Sequence, residues 1–223
     1  MKAYTNLYDD VLPELPGIEV ALALHHIKRA CQDFCSRSAF SRVTLPAINV
    51  TTSLATYSLA HPDPTNFEIT KILVVEYEGR RMTPKTIEWM NDTPNDWNRN
   101  TGDATLYSWR TQTGNPRFYI QQAIASLTLV AVPNHDTLSG LLVTISDQPS
   151  YTGVGINDDT WSAFAEDIGA GAKSRLMKMP NKPWSNAQAG HDYWVQFENA
   201  IGAAATMASK GYGRATLRTK AWG

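Results

Sequence analysis

The chain has 223 residues, of which 43% are hydrophobic and 18% are charged, and its formal net charge is −1. This length allows one large domain or two small ones, and the composition is that of a globular protein able to bury a core. A net charge near zero gives no electrostatic reason for the whole molecule to bind nucleic acid. No apolar run approaches the roughly 20 residues of a membrane span, and the first residues do not resemble a signal peptide, so we expect no association with membranes.

The N-terminal part of the chain predicts an irregular segment followed by a helix. Prolines within 12–17 disfavour helical backbone there, and apolar residues then recur at helical spacing from 18 to 37. Cys31 and Cys35 lie four residues apart and therefore on one face of this helix. Two buried thiols are the favoured interpretation, and a disulfide is the alternative.

Residues 42–155 predict a β-rich insert, because β-branched and aromatic residues recur in short runs between turn-forming residues. Within the insert, residues 92–117 form the least regular stretch and contain Trp97 and Trp109. Long irregular stretches inside a domain are usually functional or mobile. Each of these Trp residues therefore either covers the core of the insert or contacts a partner.

The strongest pattern lies near the C-terminus, where residues 159–211 predict two helices joined by a turn. Pro180 and Pro183 stop the first helix, and Ser185 or Asn186 is suited to cap the second. This helical hairpin is the element around which we expect the chain to be organised.

The first helix of the hairpin contains Gly169 and Gly171 in a run of very small side chains. Glycine in a helix interior costs about 1 kcal/mol relative to alanine, so we expect another helix to approach closely at this face. The neighbouring helix belongs either to the same chain or to another subunit.

Residues 214–223 predict an extended tail that has basic residues and no acidic ones. Arg214, Arg218 and Lys220 suit an acidic partner surface, and an extended segment can add a strand to a neighbour's sheet. A solvated, disordered end is the alternative interpretation.

The sequence shows no pattern typical of an enzyme or a cofactor site. It lacks a Gly-rich phosphate loop, a Gly-x-Ser-x-Gly elbow and the Cys/His spacing of a zinc site. We therefore expect no enzymatic activity, no cofactor and no metal.

The expected fold class is α+β. About three long helices, from residues 1–41 and 156–213, are predicted to form an antiparallel bundle that buries their apolar stripes. Residues 42–155 would form the β-rich insert, and residues 214–223 would extend from the bundle as the tail.

Residues 171–186 read GAKSRLMKMPNKPWSN. This segment resembles the signature GA-x-x-RL-x-x-MP-x-KPW of the head-to-tail adaptor (connector) proteins of tailed bacteriophages. The LPELPG segment at 12–17, followed by a helix that ends in Phe34-Cys35, also resembles the N-terminal segment of this family. The order Trp109, TGNP at 113–116 and Tyr119 resembles a pattern common in phage structural proteins.

The resemblance implies a virion structural protein, made in the host cytoplasm, that forms a ring of about twelve copies beneath the portal protein. Such a ring extends the DNA channel and docks a tail or nozzle protein, and double-stranded DNA passes through it without specific binding. The candidate contacts to the portal or to other subunits are Gly169, Gly171, Lys182, Trp184, Arg214, Arg218, Lys220 and Trp222.

An alternative function is a virion binding module. In that case Trp97 and Trp109 would contact a tail fibre, a glycan or another virion protein through the irregular stretch of the β-rich insert.

Overall fold

The computed structural model of the protein describes residues 1–92 and 109–210. The chain divides into two units. Unit 1 consists of Met1–Arg42, Asp63–Glu68 and the chain from Ser146 onward, and unit 2 consists of Val43–Pro62 and Ile69–Ile145. Unit 1 therefore includes residues 63–68 and 146–155, which the sequence placed in the β-rich insert.

The helices of the described residues are α1 Tyr8–Val11, α2 Val20–Ser38, α3 Ile87–Asp92, α4 Asp158–Met177 and α5 Ala187–Lys210. The strands are β1 Lys2–Ala3, β2 Arg42–Thr44, β3 Ile48–Val50, β4 Thr56–Ser58, β5 Phe67–Tyr77, β6 Arg80–Arg81, β7 Thr83–Pro84, β8 Thr113–Gly114, β9 Phe118–Ala123, β10 Ser126–Val130, β11 Val132–Pro133, β12 Thr137–Pro149 and β13 Gly155–Ile156.

The predicted fold class is wrong. The described part of the chain is not an antiparallel bundle of about three long helices, because it has several sheets, including a half-barrel, together with five helices. Part of the difference lies in the N-terminal segment, which was expected to be irregular but contains β1 and α1. Since β1 pairs antiparallel with β13, unit 1 contains a small sheet of its own, which no local sequence pattern indicated.

Unit 1 is built around one apolar core, to which α2, α4, α5 and the N-terminal segment contribute. The Phe34 ring lies at its centre, with its centroid 5.0 Å from that of Phe164 and 6.2 Å from that of Phe197. Cys31 and Cys35 are free thiols in this core, and burial raises the pKa of both. The prediction of two buried thiols is therefore confirmed.

The helices α4 and α5 approach most closely where α4 carries glycine. A Cβ atom placed on Gly171 would lie only 2.6 Å from Cδ2 of Phe197 on α5. A Cβ on Gly169 would lie 3.8 Å from side-chain atoms of Asp10 and Val11, which belong to α1. Both glycines are buried. The close approach predicted for this helix face is therefore made within one chain, and neither glycine is available as a subunit contact.

Unit 2 contains the larger sheets. One has the strand order β4-β10-β9-β7, another has the order β2-β12-β5-β6 with β3 also paired to β12, and β8 pairs with β11. A tight turn at Glu78 and Gly79 joins β5 to β6, and both residues have positive φ, as a type I′ hairpin turn requires. The core of unit 2 includes Val75, Leu127 and Leu141.

We expect Gly171→Ala to lower the free energy of unfolding by about 1–3 kcal/mol, because the added methyl group would overlap the buried Phe197 ring. The matched control is Gly202→Ala on α5, where an added Cβ would meet no atom within 4 Å. That control should raise the free energy of unfolding by up to about 1 kcal/mol, because alanine favours helix over glycine. Urea unfolding followed by circular dichroism measures both changes, and equal effects of the two substitutions would contradict the close contact.

Candidate functional site

The turn between α4 and α5 is set by local hydrogen bonds. The backbone N–H of Asn186 donates to the carbonyl of Met177 at 3.0 Å, and the Asn186 side-chain oxygen accepts from the N–H of Ala189 at 3.1 Å. Asn186 thus caps α5. The predicted hairpin, with its turn at Pro180 and Pro183, is confirmed, and Asn186 rather than Ser185 is the cap.

Most positions of the segment that resembles the adaptor signature have a role inside unit 1. Ala172 and Leu176 are fully buried, and the guanidinium of Arg175 donates to Asp33 on α2 at 2.7 Å. Trp184 is half-buried against the same core. The segment 171–186 therefore specifies how the hairpin packs, and its residues mainly hold the fold together.

Lys182 and Trp184 differ in how far they are available to a partner. Lys182 is exposed in the turn, and its Nζ lies 5.9 Å from the centroid of the Trp184 ring, near the outer limit of a cation–π contact. The Trp184 ring nitrogen is buried and has no hydrogen-bond partner within the described residues. Of these two candidates, only Lys182 presents its side chain to solvent.

Trp109 belongs to a second, smaller apolar cluster of unit 2. It is 8% exposed, it packs with Met90, Ile120 and Val130, and its ring N–H donates to the side-chain oxygen of Asn91 at 2.9 Å. The interpretation of Trp109 as a partner contact is therefore wrong, and the residue covers a core instead. Trp97, Arg214, Arg218, Lys220 and Trp222 lie outside the described residues.

A buried lysine that the sequence did not indicate joins three segments of unit 1. Lys173 on α4 is 9% exposed, and its ammonium donates to the carboxylate of Glu14 at 2.8 Å. The Tyr193 hydroxyl on α5 also donates to Glu14, and Lys173 Nζ lies 4.2 Å from the centroid of the Tyr193 ring. Burial opposes ionisation of Glu14, but the bonds from Lys173 and Tyr193 outweigh it and lower the pKa of this carboxyl.

This ion pair connects the two segments that carry the resemblance. Glu14 lies in the LPELPG segment, and Lys173 lies in the segment 171–186. They are far apart in the sequence, and charge alone does not identify one lysine among many as buried. Only the fold brings them together.

The outward face of α5 carries no charge over most of its length. Its exposed residues recur at helical spacing, and we call them the α5 stripe: Val195, Asn199, Gly202, Ala203, Thr206 and Met207. Between Asp192 and Lys210 the one charged residue of this helix is Glu198, whose carboxylate accepts two hydrogen bonds from Arg37 on α2. A helix face in contact with water is usually polar or charged, so a continuous uncharged face of small and apolar residues is suited to a protein contact.

The α5 stripe is long enough, and its central side chains are small enough, for close packing of another helix. From Val195 to Met207 it extends about 18 Å at 1.5 Å per residue. Val195 and Met207 are 44% and 40% exposed, and Gly202 and Ala203 between them leave the backbone accessible. The small residues of this helix are visible in the sequence, but their position on its outer face depends on how α5 packs against the core.

Comparison of the chain with models of known families gives no match, and comparison with curated proteins gives none either. Within residues 1–92 and 109–210, no group of three or more His, Cys, Asp or Glu side chains is arranged to hold a metal ion. In the same residues, no helix is both long enough and apolar enough to cross a membrane.

We expect Glu14→Gln to lower the free energy of unfolding at neutral pH and to have less effect in acid. The pKa of Glu14 is lower in the folded chain than in the unfolded chain. Its contribution is therefore fully present above the ordinary Glu pKa of about 4.3 and is lost as the pH falls through the folded-state value. The test compares urea unfolding of the wild type and the variant at neutral pH and in acid.

The matched control for this test is Glu166→Gln, which removes an exposed carboxylate of α4 that makes no ion pair in the described chain. It should change the free energy of unfolding little at either pH. If the effect of Glu14→Gln were the same at both pH values, the carboxylate of Glu14 would not be acting as an ionised partner of Lys173.

Proposed function

We propose that the protein is a virion head-to-tail adaptor whose subunits assemble into a ring beneath a portal protein. The observation that carries the proposal is the segment 171–186, which resembles the adaptor signature over its whole length. In unit 1 this segment forms the end of α4 and the turn into α5. A signature that specifies a helical hairpin fits a protein whose assembly depends on the surface of that hairpin.

In this proposal, neighbouring subunits pack through the α5 stripe. A closed ring requires a heterologous contact, in which one patch of a subunit meets a different patch of the next. The small side chains at Gly202 and Ala203 allow the backbone of a neighbour to approach, and Val195 and Met207 provide apolar area. Gly169 and Gly171 take no part in this contact, because they are enclosed within unit 1.

The other partners follow from the same proposal. The basic tail, with Arg214, Arg218, Lys220 and Trp222, would contact the portal protein, and Lys182 in the exposed turn would face the portal or a neighbouring subunit. The opposite side of the ring would dock a tail or nozzle protein. A net charge of −1 is compatible with a channel that lets double-stranded DNA slide, because tight non-specific binding depends on an excess of Lys and Arg.

We expect Ala203→Arg to abolish ring assembly, because it places a long charged side chain in the centre of the α5 stripe, and an unpaired charge in an interface is strongly unfavourable. The measurement is mass photometry of the purified protein mixed with the portal protein that the proposal requires in the same genome. The wild type should add a ring of subunits to the portal, and the variant should show at least about tenfold weaker addition.

The control is Ala21→Arg, which makes the same change at an exposed alanine of α2. It should assemble like the wild type, and thermal unfolding should show that both variants are folded. Assembly of Ala203→Arg at the wild-type level would show that α5 is not the subunit interface. Failure of the wild type itself to bind the portal would contradict the adaptor proposal.

A further inference from the structure

The strand β5 of unit 2 leaves most of one edge without a backbone partner. It has 11 residues, but on that side β6 pairs only with Glu76 and Tyr77, and the last bond runs from the N–H of Met82 to the carbonyl of Val75. Backbone groups of alternate residues point to the same edge of a strand. The residues that continue this edge are Ile69, Lys71 and Leu73, and they have no partner there within the described residues.

A second unpaired edge belongs to β9. On one side β9 pairs with β10, and on the other β7 pairs only with Phe118 and Tyr119. The bond from the N–H of Lys85 to the carbonyl of Tyr119 ends this contact. Beyond it, Gln121 and Gln122 are exposed and have no strand beside them on the β7 side in the described chain.

The two unpaired edges line the same groove, which has a volume of about 940 Å³. Ile72 and Leu73 of β5 form one wall, residues 119–122 of β9 form another, and the segment 84–89 closes the groove between them. The side chains of Ile87 and Trp89 add apolar surface. The wall also contains polar and charged side chains, among them Lys85 and Glu88. A groove with partly apolar walls and strand edges that are unpaired in the described chain is suited to accept an extended peptide as an added strand.

A second cavity of unit 2 is basic. It has a volume of about 370 Å³ and is lined by Arg80, Arg81 and Arg117. Thr83 and Phe118 also line it, and the next residues, Pro84 and Tyr119, line the groove, so the two lie next to each other along β7 and β9. All three arginines are exposed, and none forms an ion pair or a side-chain hydrogen bond with another described residue.

The carboxylates near these arginines offset their charge only in part. The bond from His135 and, to a smaller extent, the charge of Arg80 lower the pKa of Glu78, but Arg80 makes no ion pair with it. Glu78 is bound by His135 at 2.9 Å and by Thr137 at 3.1 Å. Glu76 lies opposite Arg81 in the β5–β6 pair, but the two make no ion pair. Three guanidinium groups around one cavity repel each other and favour an anion, and their planar geometry matches a carboxylate.

We propose that the groove between β5 and β9 receives an extended, acidic segment of another protein as an added β-strand. Its backbone pairs with a strand edge that is unpaired in the described chain, its apolar side chains lie against Ile72 and Trp89, and its carboxylates reach the arginine cavity. The tail of this chain is a poor occupant, because residues 214–223 are basic and would be repelled by the three arginines. This inference concerns unit 2 and does not depend on ring formation through α5.

The test uses the full-length protein and fluorescent peptides of about ten residues, the length of a long strand. The acidic probe alternates Val and Thr and has Asp-Glu at both ends, so that either strand direction brings carboxylates to the arginines. The basic probe has Lys-Lys at both ends, and the blocked probe is the acidic probe with every Val and Thr N-methylated, so that neither edge of its alternating segment can donate backbone hydrogen bonds. Fluorescence anisotropy should show binding of the acidic probe, with the other two at least about tenfold weaker.

Variants of the protein separate groove binding from general charge attraction. Arg81→Glu should weaken binding of the acidic probe by at least about tenfold, whereas Arg29→Glu, at an exposed arginine of unit 1, should leave it unchanged. Lys71→Pro should also weaken binding, because it removes an edge N–H that points away from β12 and so spares the β5–β12 ladder. If Lys71→Pro does not fold, the alternative measurement is hydrogen exchange of the wild-type protein, in which the acidic probe should slow exchange of the Ile69–Leu73 amides.

Three results would overturn the inference. The first is no binding of the acidic probe at about 1 mM. The second is equal binding of the blocked probe, which would exclude strand addition. The third is equal weakening by Arg81→Glu and Arg29→Glu, which would show attraction to the overall charge rather than to the arginine cavity.

Discussion

The contact between Gly171 and the Phe197 ring is the constraint on which unit 1 depends. A side chain on residue 171 would overlap this ring, so the distance between α4 and α5 is fixed by the absence of a Cβ atom. Phe197 in turn packs against Phe34 of α2. The cost of Gly171 to the stability of α4 is thus offset by close packing of the core. The position of α5 in this packing determines which of its residues face outward.

The α4–α5 hairpin was predictable because its determinants are local. Apolar spacing, two prolines in the turn and the cap at Asn186 all lie within a few residues of the structure that they specify. The close approach at the glycines was also predictable, but the identity of the neighbouring helix was not. Small residues favour contact with any helix, whether from the same chain or from another subunit.

The features that the sequence did not predict depend on residues far apart in the chain. The β1–β13 pair and the division of the units after Arg42 and Ile145 follow from long-range packing, so the predicted bundle was wrong. The pairing of Lys173 with Glu14 and the burial of Trp109 have the same origin. An aromatic side chain in an irregular stretch suggests a binding residue, although here Trp109 packs in an apolar cluster.

Two surfaces of different chemistry remain for partners. The α5 stripe is an uncharged helix face with small side chains at its centre, which suits tight packing against another copy. The groove of unit 2 has strand edges that are unpaired in the described chain, and the cavity next to it is lined by Arg80, Arg81 and Arg117. This combination suits an extended acidic segment. The proposed adaptor would use both surfaces, because contact with its own copies and contact with a different protein require different chemistry.

Electron cryo-microscopy of the protein mixed with the portal protein that the proposal requires in the same genome is the most direct test of the proposed ring. The account predicts a closed ring beneath the portal in which the α5 stripe of each subunit is buried against the next subunit. A protein that remains a monomer in the presence of the portal, or a ring in which Val195, Gly202 and Met207 stay exposed to solvent, would contradict it.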